Sequence, residues 1–559
     1  MSKLSDGARL TQEGGLAGRW LRRLGLAAVA LTLLVPAMAA AGPEETWIDR
    51  WQVNAIKSAL ATMATALLVW GVWLRARGRA EAHRRLRDGL LLSLGVLSAL
   101  AWWNLGQFHF PRYVHPSDMY HYYLGAKYFP ELGSTRLYAC TAVADLDAGR
   151  AYAEKGRRIR NLETNVLEPV GPVLDDPSRC TRHFSPERWS AFRADAALFR
   201  AYMAPSAWRK LRTDHGYNGT PAWGVLGSLL AHTGPASLNQ LLALALLDPL
   251  LLGVMWGTAF WAFGWRATCV ALVFWGTNYP AAFGWVGGGY LRQDWLVATV
   301  VGIGLLRRER SAAGGFLLMT AALLRIFPGW VLAGLGLQAL VRMIRARGFT
   351  LSTSHRRIAA GAALAAAVWL PLSAATSGGF GAWAAFAENS RVHLSTPLVN
   401  HMGLPVVFAY DGTTRSQDTF SAAAADPFTE WKQARRDTFH SRRWAFAACV
   451  AAFALLLARA VERQGDWVAA VLSLGILPVA FELTGYYYAV LLAYGFLTIQ
   501  RERIGAALCA LSALSWLFVE VWHWTDVILT WTSLAAVGFV TYAAIEVLWG
   551  ERAPPSTSA

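Results

Sequence analysis

Four stretches of this chain set charged side chains among aromatic residues or glycines, in arrangements that could do chemistry. The first is His115-Pro116-Ser117-Asp118-Met119-Tyr120-His121-Tyr122-Tyr123. A carboxylate among aromatic rings is partly desolvated, which raises its pKa and suits it to general-base work. The competing reading, favoured by local sequence, is a helix N-cap at Ser117 or Asp118. The second stretch is Gly287-Gly288-Gly289-Tyr290-Leu291-Arg292-Gln293-Asp294-Trp295. Its glycines let backbone approach a ligand closely. Its charges open an apolar segment, where ionised groups are expensive and usually functional. The alternative is a surface Arg292–Asp294 pair beside a flexible turn.

The third stretch is Leu323-Leu324-Arg325-Ile326-Phe327-Pro328-Gly329-Trp330, between two short apolar runs. Pro328 breaks the helix there, leaving Arg325 at the apex of a hairpin. A buried arginine needs an anionic partner, and its planar fork fits phosphate oxygens. Snorkelling to the interface is the alternative. The fourth, Glu482-Leu483-Thr484-Gly485-Tyr486-Tyr487-Tyr488, follows Pro478 and could equally be an aromatic belt. Glu388, Asn389, Arg391, His393, Asn400 and His401 add polar groups with no metal-ligand spacing. Asp145-Leu146-Asp147 spells D-x-D, but without a soluble nucleotide-binding fold it reads as a solvated loop. No C-x-x-C or H-x-x-x-H spacing supports zinc, and no metal or other cofactor is expected.

The elements that must position these residues follow from composition. Of 559 residues, 55% are hydrophobic and only 16% charged, with a net charge of +16. Globular domains are about 25% charged. So much apolar surface cannot be hidden in a soluble core, and it also excludes disorder. An all-α polytopic membrane protein remains. Apolar segments run over 24–41, 53–74, 88–106, 240–262, 268–285, 291–306, 313–324, 327–341, 358–374, 443–461, 467–483, 486–499, 504–522 and 526–548, fourteen in all. Crossing the hydrocarbon takes roughly 20 residues, so 313–324 and 327–341 are short.

Arginines cluster after the even-numbered segments: Arg75 to Arg87, Arg307 to Arg310, Arg342 to Arg357, Arg459 with Arg463, and Arg501 with Arg503. The positive-inside rule puts these clusters and both termini in the cytoplasm. Much of the +16 is then an orientation signal, and no nucleic-acid partner is expected. Residues 24–41 read either as a retained anchor or as a cleaved signal ending in Ala37-Met38-Ala39. Two long outer connections, 107–220 and 375–442, are where function is expected. The first ends at Pro221–His232, too short to span. It carries Cys140 and Cys180, expected to pair. Cys269, Cys449 and Cys509 read as small apolar residues.

The chain resembles the GT-C superfamily of membrane glycosyltransferases, in particular bacterial polyprenyl-phosphate-mannose-dependent mannosyltransferases. The resemblance rests on Asp118 with Tyr122-Tyr123, Gly133 and Leu137-Tyr138. It rests also on Gln293-Asp294, on Arg325 through Pro328 after Ala312-Ala313-Gly314-Gly315, and on Pro478 through Tyr488. Arg325 stands where the family has lysine, and Glu482 where a histidine is often found. The likeness covers about residues 88–500, the expected catalytic core of a GT-C-like helical bundle that has about 13–14 membrane segments over the whole chain. Residues 1–87 form an N-terminal addition and 501–559 a C-terminal helical part.

The resemblance implies a multi-pass protein of the bacterial cytoplasmic membrane with its active site on the outer side. It implies inverting transfer of a sugar, mannose at family level, from a polyprenyl-phosphate donor to an acceptor hydroxyl on a lipid, glycan or protein. Asp118 would be the base. Arg325 and Arg292 would hold the donor phosphate. Tyr122, Tyr123, Gln293, Asp294, Glu482 and Tyr486 would contact substrate, and the polar loop residues His393 and His401 are expected to join them. Arginine alone can stabilise a lipid-phosphate leaving group, so no metal is required. The rival readings are a flippase or transporter of lipid-linked sugars, an O-antigen ligase or polymerase centred on 375–442, and an inactive assembly subunit.

Overall fold

A computed structural model describes residues 46–150 and 156–549. The predicted segment 24–41 lies outside the described residues. The described residues are mostly helical. Among the described residues the only strands are two short antiparallel pairs, Arg158–Asn161 with Val166–Pro169 and His401–Met402 with Leu483–Thr484. Among the described residues six helices are long and apolar enough to cross a membrane: Arg50–Ala76, Leu238–Phe263, Thr353–Thr376, Thr429–Val461, Glu502–Val521 and Thr525–Trp549. The other apolar segments within the described residues also fall on helical chain, in shorter pieces. Gly485–Ile499 winds as a 3-10 helix of 15 residues. At about 2.0 Å per residue it reaches roughly 30 Å, the thickness of the hydrocarbon core.

Small residues let the helices approach closely, as is usual between membrane helices. A methyl on Gly315 would meet the Ile358 carbonyl, and one on Gly361 the Ala312 carbonyl. This locks Ser311–Arg325 against Thr353–Thr376. Gly276 lies as tightly against the Ser98 carbonyl, joining Trp265–Thr277 to Arg84–Trp102. The arginine-rich connections gather at one end of the bundle, where Arg75, Arg266, Arg345, Arg459 and Arg501 line one cavity. The helices that bring Arg345 and Arg501 there begin next to Arg325 and Tyr486, so the four stretches singled out above lie at the other end.

There the two long connections pack on each other. The Leu167 N–H donates to the Ala425 carbonyl at 2.7 Å, and Asn165 Nδ2 to Thr396 Oγ1 at 2.8 Å. Cys140 and Cys180 form the expected disulfide, with Cα atoms 5.3 Å apart. The D-x-D differs from the expected solvated loop. Asp145 is buried, pairs with Arg200, accepts from Trp208 Nε1 at 2.9 Å and lies 3.6 Å from Arg212. Asp147 accepts from Trp189 Nε1 at 2.9 Å. Both carboxylates therefore hold the loop together. Pro221–Ala231 forms a helix capped by Thr220, whose hydroxyl also donates to the Leu323 carbonyl at 2.8 Å. It thus ties the first connection to the Arg325 hairpin. The second connection is shorter than its sequence suggested, because the Thr429–Val461 helix runs well past its apolar part.

Candidate functional site

Asp118 lies in the first turn of a short helix, Pro116–Met119. The cap is His115, whose Nδ1 accepts the Asp118 N–H at 3.2 Å. Pro116 explains why the helix starts there: its fixed φ and missing N–H suit the first helical position. Neither Ser117 nor Asp118 spends its side chain on capping. The next turn, Tyr120–Leu124, is π-helical, a distortion common at functional sites.

Two glycines bring the second stretch against this carboxylate. Gly288 has φ +66°, which glycine adopts without strain, and its carbonyl accepts the His115 N–H at 2.9 Å. Gly289 leaves the space into which Asp118 Oδ2 projects. Beneath the turn, Phe283 packs on Trp102 at 5.1 Å and on His109 at 4.9 Å, and Trp102 stacks on Trp275 at 4.1 Å. The turn is therefore anchored on a rigid aromatic base.

Arg292 is the partner of Asp118, with Nε 3.2 Å from Oδ1 and both side chains nearly buried. Its guanidinium stands 4.1 Å from the centre of the Tyr122 ring, and its NH2 group donates to the Tyr486 hydroxyl at 3.5 Å. The backbone is fixed from below by Asp248, which accepts the Arg292 N–H at 2.9 Å and the Gln293 N–H at 3.2 Å. Sequence reasoning passed over Asp248. The available signal was a carboxylate inside the apolar segment 240–262.

Arg325 approaches the other side of Tyr122, 5.5 Å from that ring and 5.6 Å from Trp223. Its main chain leads into a tight turn. Ile326 has φ +57° and ψ −59°, and the Phe327 N–H donates to the Arg325 carbonyl at 2.7 Å. A β-branched residue in this conformation is strained, and such strain clusters at functional sites. Pro328 follows and the next helix begins at Gly329. Arg325 is buried. Its Nη1 donates to the Leu324 carbonyl at 3.0 Å, while its Nε and Nη2 have no hydrogen-bond partner. The same holds for Arg292 Nη1, Asp118 Oδ2 and Asp294 Oδ2. Tyr487, between Trp295 at 5.6 Å and Phe327 at 4.6 Å, walls the site. Two guanidiniums thus flank Tyr122, with Asp118 beside Arg292 and Asp294 in the field of Arg325, each with hydrogen-bonding capacity to spare.

Burial raises the Asp118 carboxyl above the usual carboxylate range, and Arg292, His121 and Arg325 oppose that rise. Burial and Arg292 push His115 down to about 4, and burial lowers His121. Burial thus disfavours the charged form of both imidazoles, while Arg292 and Arg325 supply standing positive charge.

Tyr122 is at the centre, and its hydroxyl donates to Asn218 Oδ1 at 2.5 Å. Tyr123 points away: its hydroxyl donates to Gln240 Oε1 at 2.9 Å and accepts from Lys127 at 3.0 Å. Tyr486 is present through Arg292, and Asp294 lies in the field of Arg325. Gln293 contributes backbone. Glu482 forms a separate group, bound by Arg435 at 3.1 Å and by His401 Nδ1 at 3.0 Å. Pairing of His401–Met402 with Leu483–Thr484 brings these residues together. His393 lies by His215, with ring centres 6.2 Å apart. Among the described residues, none of His393, His401 and Glu482 contacts Asp118, Arg292 or Arg325. No protein-family model, no curated protein and no solved structure matches this chain.

Proposed function

We propose that the protein is an integral-membrane glycosyltransferase of the GT-C type, using a polyprenyl-phosphate sugar with mannose as the family-level choice. The observation that carries this reading is one buried carboxylate beside two buried arginines, Arg292 and Arg325, that keep unpartnered N–H groups. Asp118 takes the proton of the acceptor hydroxyl as that oxygen attacks the anomeric carbon. The bond to the lipid phosphate breaks on the opposite face, so the configuration inverts. Negative charge develops on the departing phosphate, where fixed donors act most strongly in a site shielded from water. Arg325 supplies the phosphate donors. Arg292 aligns the base through Nε and has Nη1 left for the phosphate. The test is transfer of labelled sugar from a polyprenyl phosphate by the purified protein in liposomes, with the product anomer read by NMR. A retained configuration would sink the mechanism.

Two expected results follow from the geometry. Alanine at Gly289 puts a methyl where Asp118 Oδ2 and the Arg292 chain now lie. A displacement of this size costs on the order of 10²-fold in rate, with thermal unfolding little changed. Equal turnover in Gly289→Ala and wild type would mean that Asp118 is not the base. Transfer also requires ionised Asp118, so activity is present above its pKa and is lost as pH falls through it. Burial places that acidic limb above the ordinary carboxylate range. Arg292→Gln removes the main charge opposing the rise, so the limb moves to higher pH. A pH–rate profile with the limb unmoved contradicts the assignment.

A ligase-type reading has one observation in its favour. Glu482 orients His401 through Nδ1, leaving Nε2 as a second base. Comparing His401→Ala with Asp118→Asn in the same glycan assay separates the two readings.

A further inference from the structure

At the end of the bundle away from Asp118 lies a cavity of about 1260 Å³. Arg75, Arg266, Arg345, Arg459, Arg463 and Arg501 line it, against two glutamates, Glu462 and Glu502. Orienting a membrane protein requires positive charge in its connections, but it does not require that charge to converge. Here five separate connections deliver arginines to one concave space. The neighbouring acids do not neutralise it. Glu462 pairs with Arg345 at 2.8 Å, Glu502 with Arg75 at 2.6 Å, and Asp88 with Arg266 at 2.5 Å. Arg459, in the last turn of the Thr429–Val461 helix, and Arg463, just past its end, make no ion pair or hydrogen bond among the described residues. The Thr498 hydroxyl, on the same lining, is buried without a hydrogen-bond partner.

We propose that this cavity binds a phosphate-bearing anion, at a site separate from the Asp118 centre. Guanidinium forks match phosphate oxygens, and basic pockets between membrane helices hold phospholipid headgroups. Trp265, Val547 and Leu548 add an apolar wall suited to acyl chains, which favours a lipid over a soluble phosphate. Size and charge suit a headgroup with two phosphates.

The test uses the full-length protein in detergent. Binding of diphosphatidylglycerol, phosphatidylcholine and inorganic pyrophosphate is measured by native mass spectrometry and thermal shift. The diphosphate lipid is expected to bind and phosphatidylcholine not. The double variant Arg459→Gln/Arg463→Gln should weaken lipid binding at least about tenfold, as expected for lost charge-assisted contacts. Pyrophosphate bound in place of the lipid, and lost in the same variant, would support the anion site and assign it to a soluble source. Binding of neither, or binding indifferent to both substitutions, overturns the proposal. Both arginines are exposed, so the variant should fold. If it does not, Arg463→Gln alone should show a smaller loss, and an unchanged affinity there overturns the proposal equally.

Discussion

Asp118→Asn is expected to lower sugar transfer by ~10²–10⁴-fold, the usual contribution of a general base, while donor binding survives. Asparagine keeps the shape of the carboxylate. It still fits the space left by Gly289 and leaves the His115 cap, which uses only the Asp118 backbone N–H, intact. What it loses is the charge. Arg292 then stays buried with no carboxylate within reach of Nε, and its positive charge is free to act on the donor phosphate. Donor affinity is therefore expected to hold or rise as turnover collapses. A residue with a merely structural role would lower both together. Asp118→Glu should not rescue, because the longer side chain has only the Gly289 gap to enter. Turnover in liposomes and donor binding by native mass spectrometry check the pair. Undiminished transfer in Asp118→Asn removes it from the mechanism.

The parts of this arrangement visible in the sequence are those where charge stands at a cost. Asp118 among aromatics, Arg292 at the mouth of an apolar helix and Arg325 before a proline all stood out because hydrocarbon tolerates ions poorly. The helices were legible for a related reason, since long apolar runs have few other uses. What stayed hidden depends on geometry that no local pattern encodes. The π-helical turn after Met119 sends Tyr122 to the arginines and Tyr123 to Lys127, a split that two adjacent tyrosines do not reveal. Asp248 was one polar residue in an apolar run; nothing nearby says that it fixes the backbone of Arg292. The Asp145 carboxylate looked solvated because Arg200, Trp208 and Arg212 come from later helices. Polarity alone does not place Glu482, His393 and His401. The strand pair His401–Met402 with Leu483–Thr484 instead gathers Glu482 and His401 around Arg435.

Arg325→Ala is expected to weaken donor binding and to lower kcat/KM by about 10²–10³-fold, the loss typical for removing a preorganised donor from a charge-developing site. The free protein should not suffer. A buried guanidinium whose Nε and Nη2 have no partner costs desolvation free energy without recovering it, so its removal should leave thermal stability unchanged or raised. Rings of Tyr122 and Trp223 lose a cation 5.5 and 5.6 Å away, worth about 0.5–2 kcal/mol each, which limits the gain. Opposite movements of stability and activity are the signature of a side chain held in place for a ligand. Arg325→Lys keeps the charge but presents a point donor in place of the planar fork, so it should retain part of the donor affinity. Unchanged kinetics in Arg325→Ala would remove the phosphate role. A large fall in melting temperature, with activity falling only in proportion, would make Arg325 a packing residue and leave the donor phosphate to Arg292.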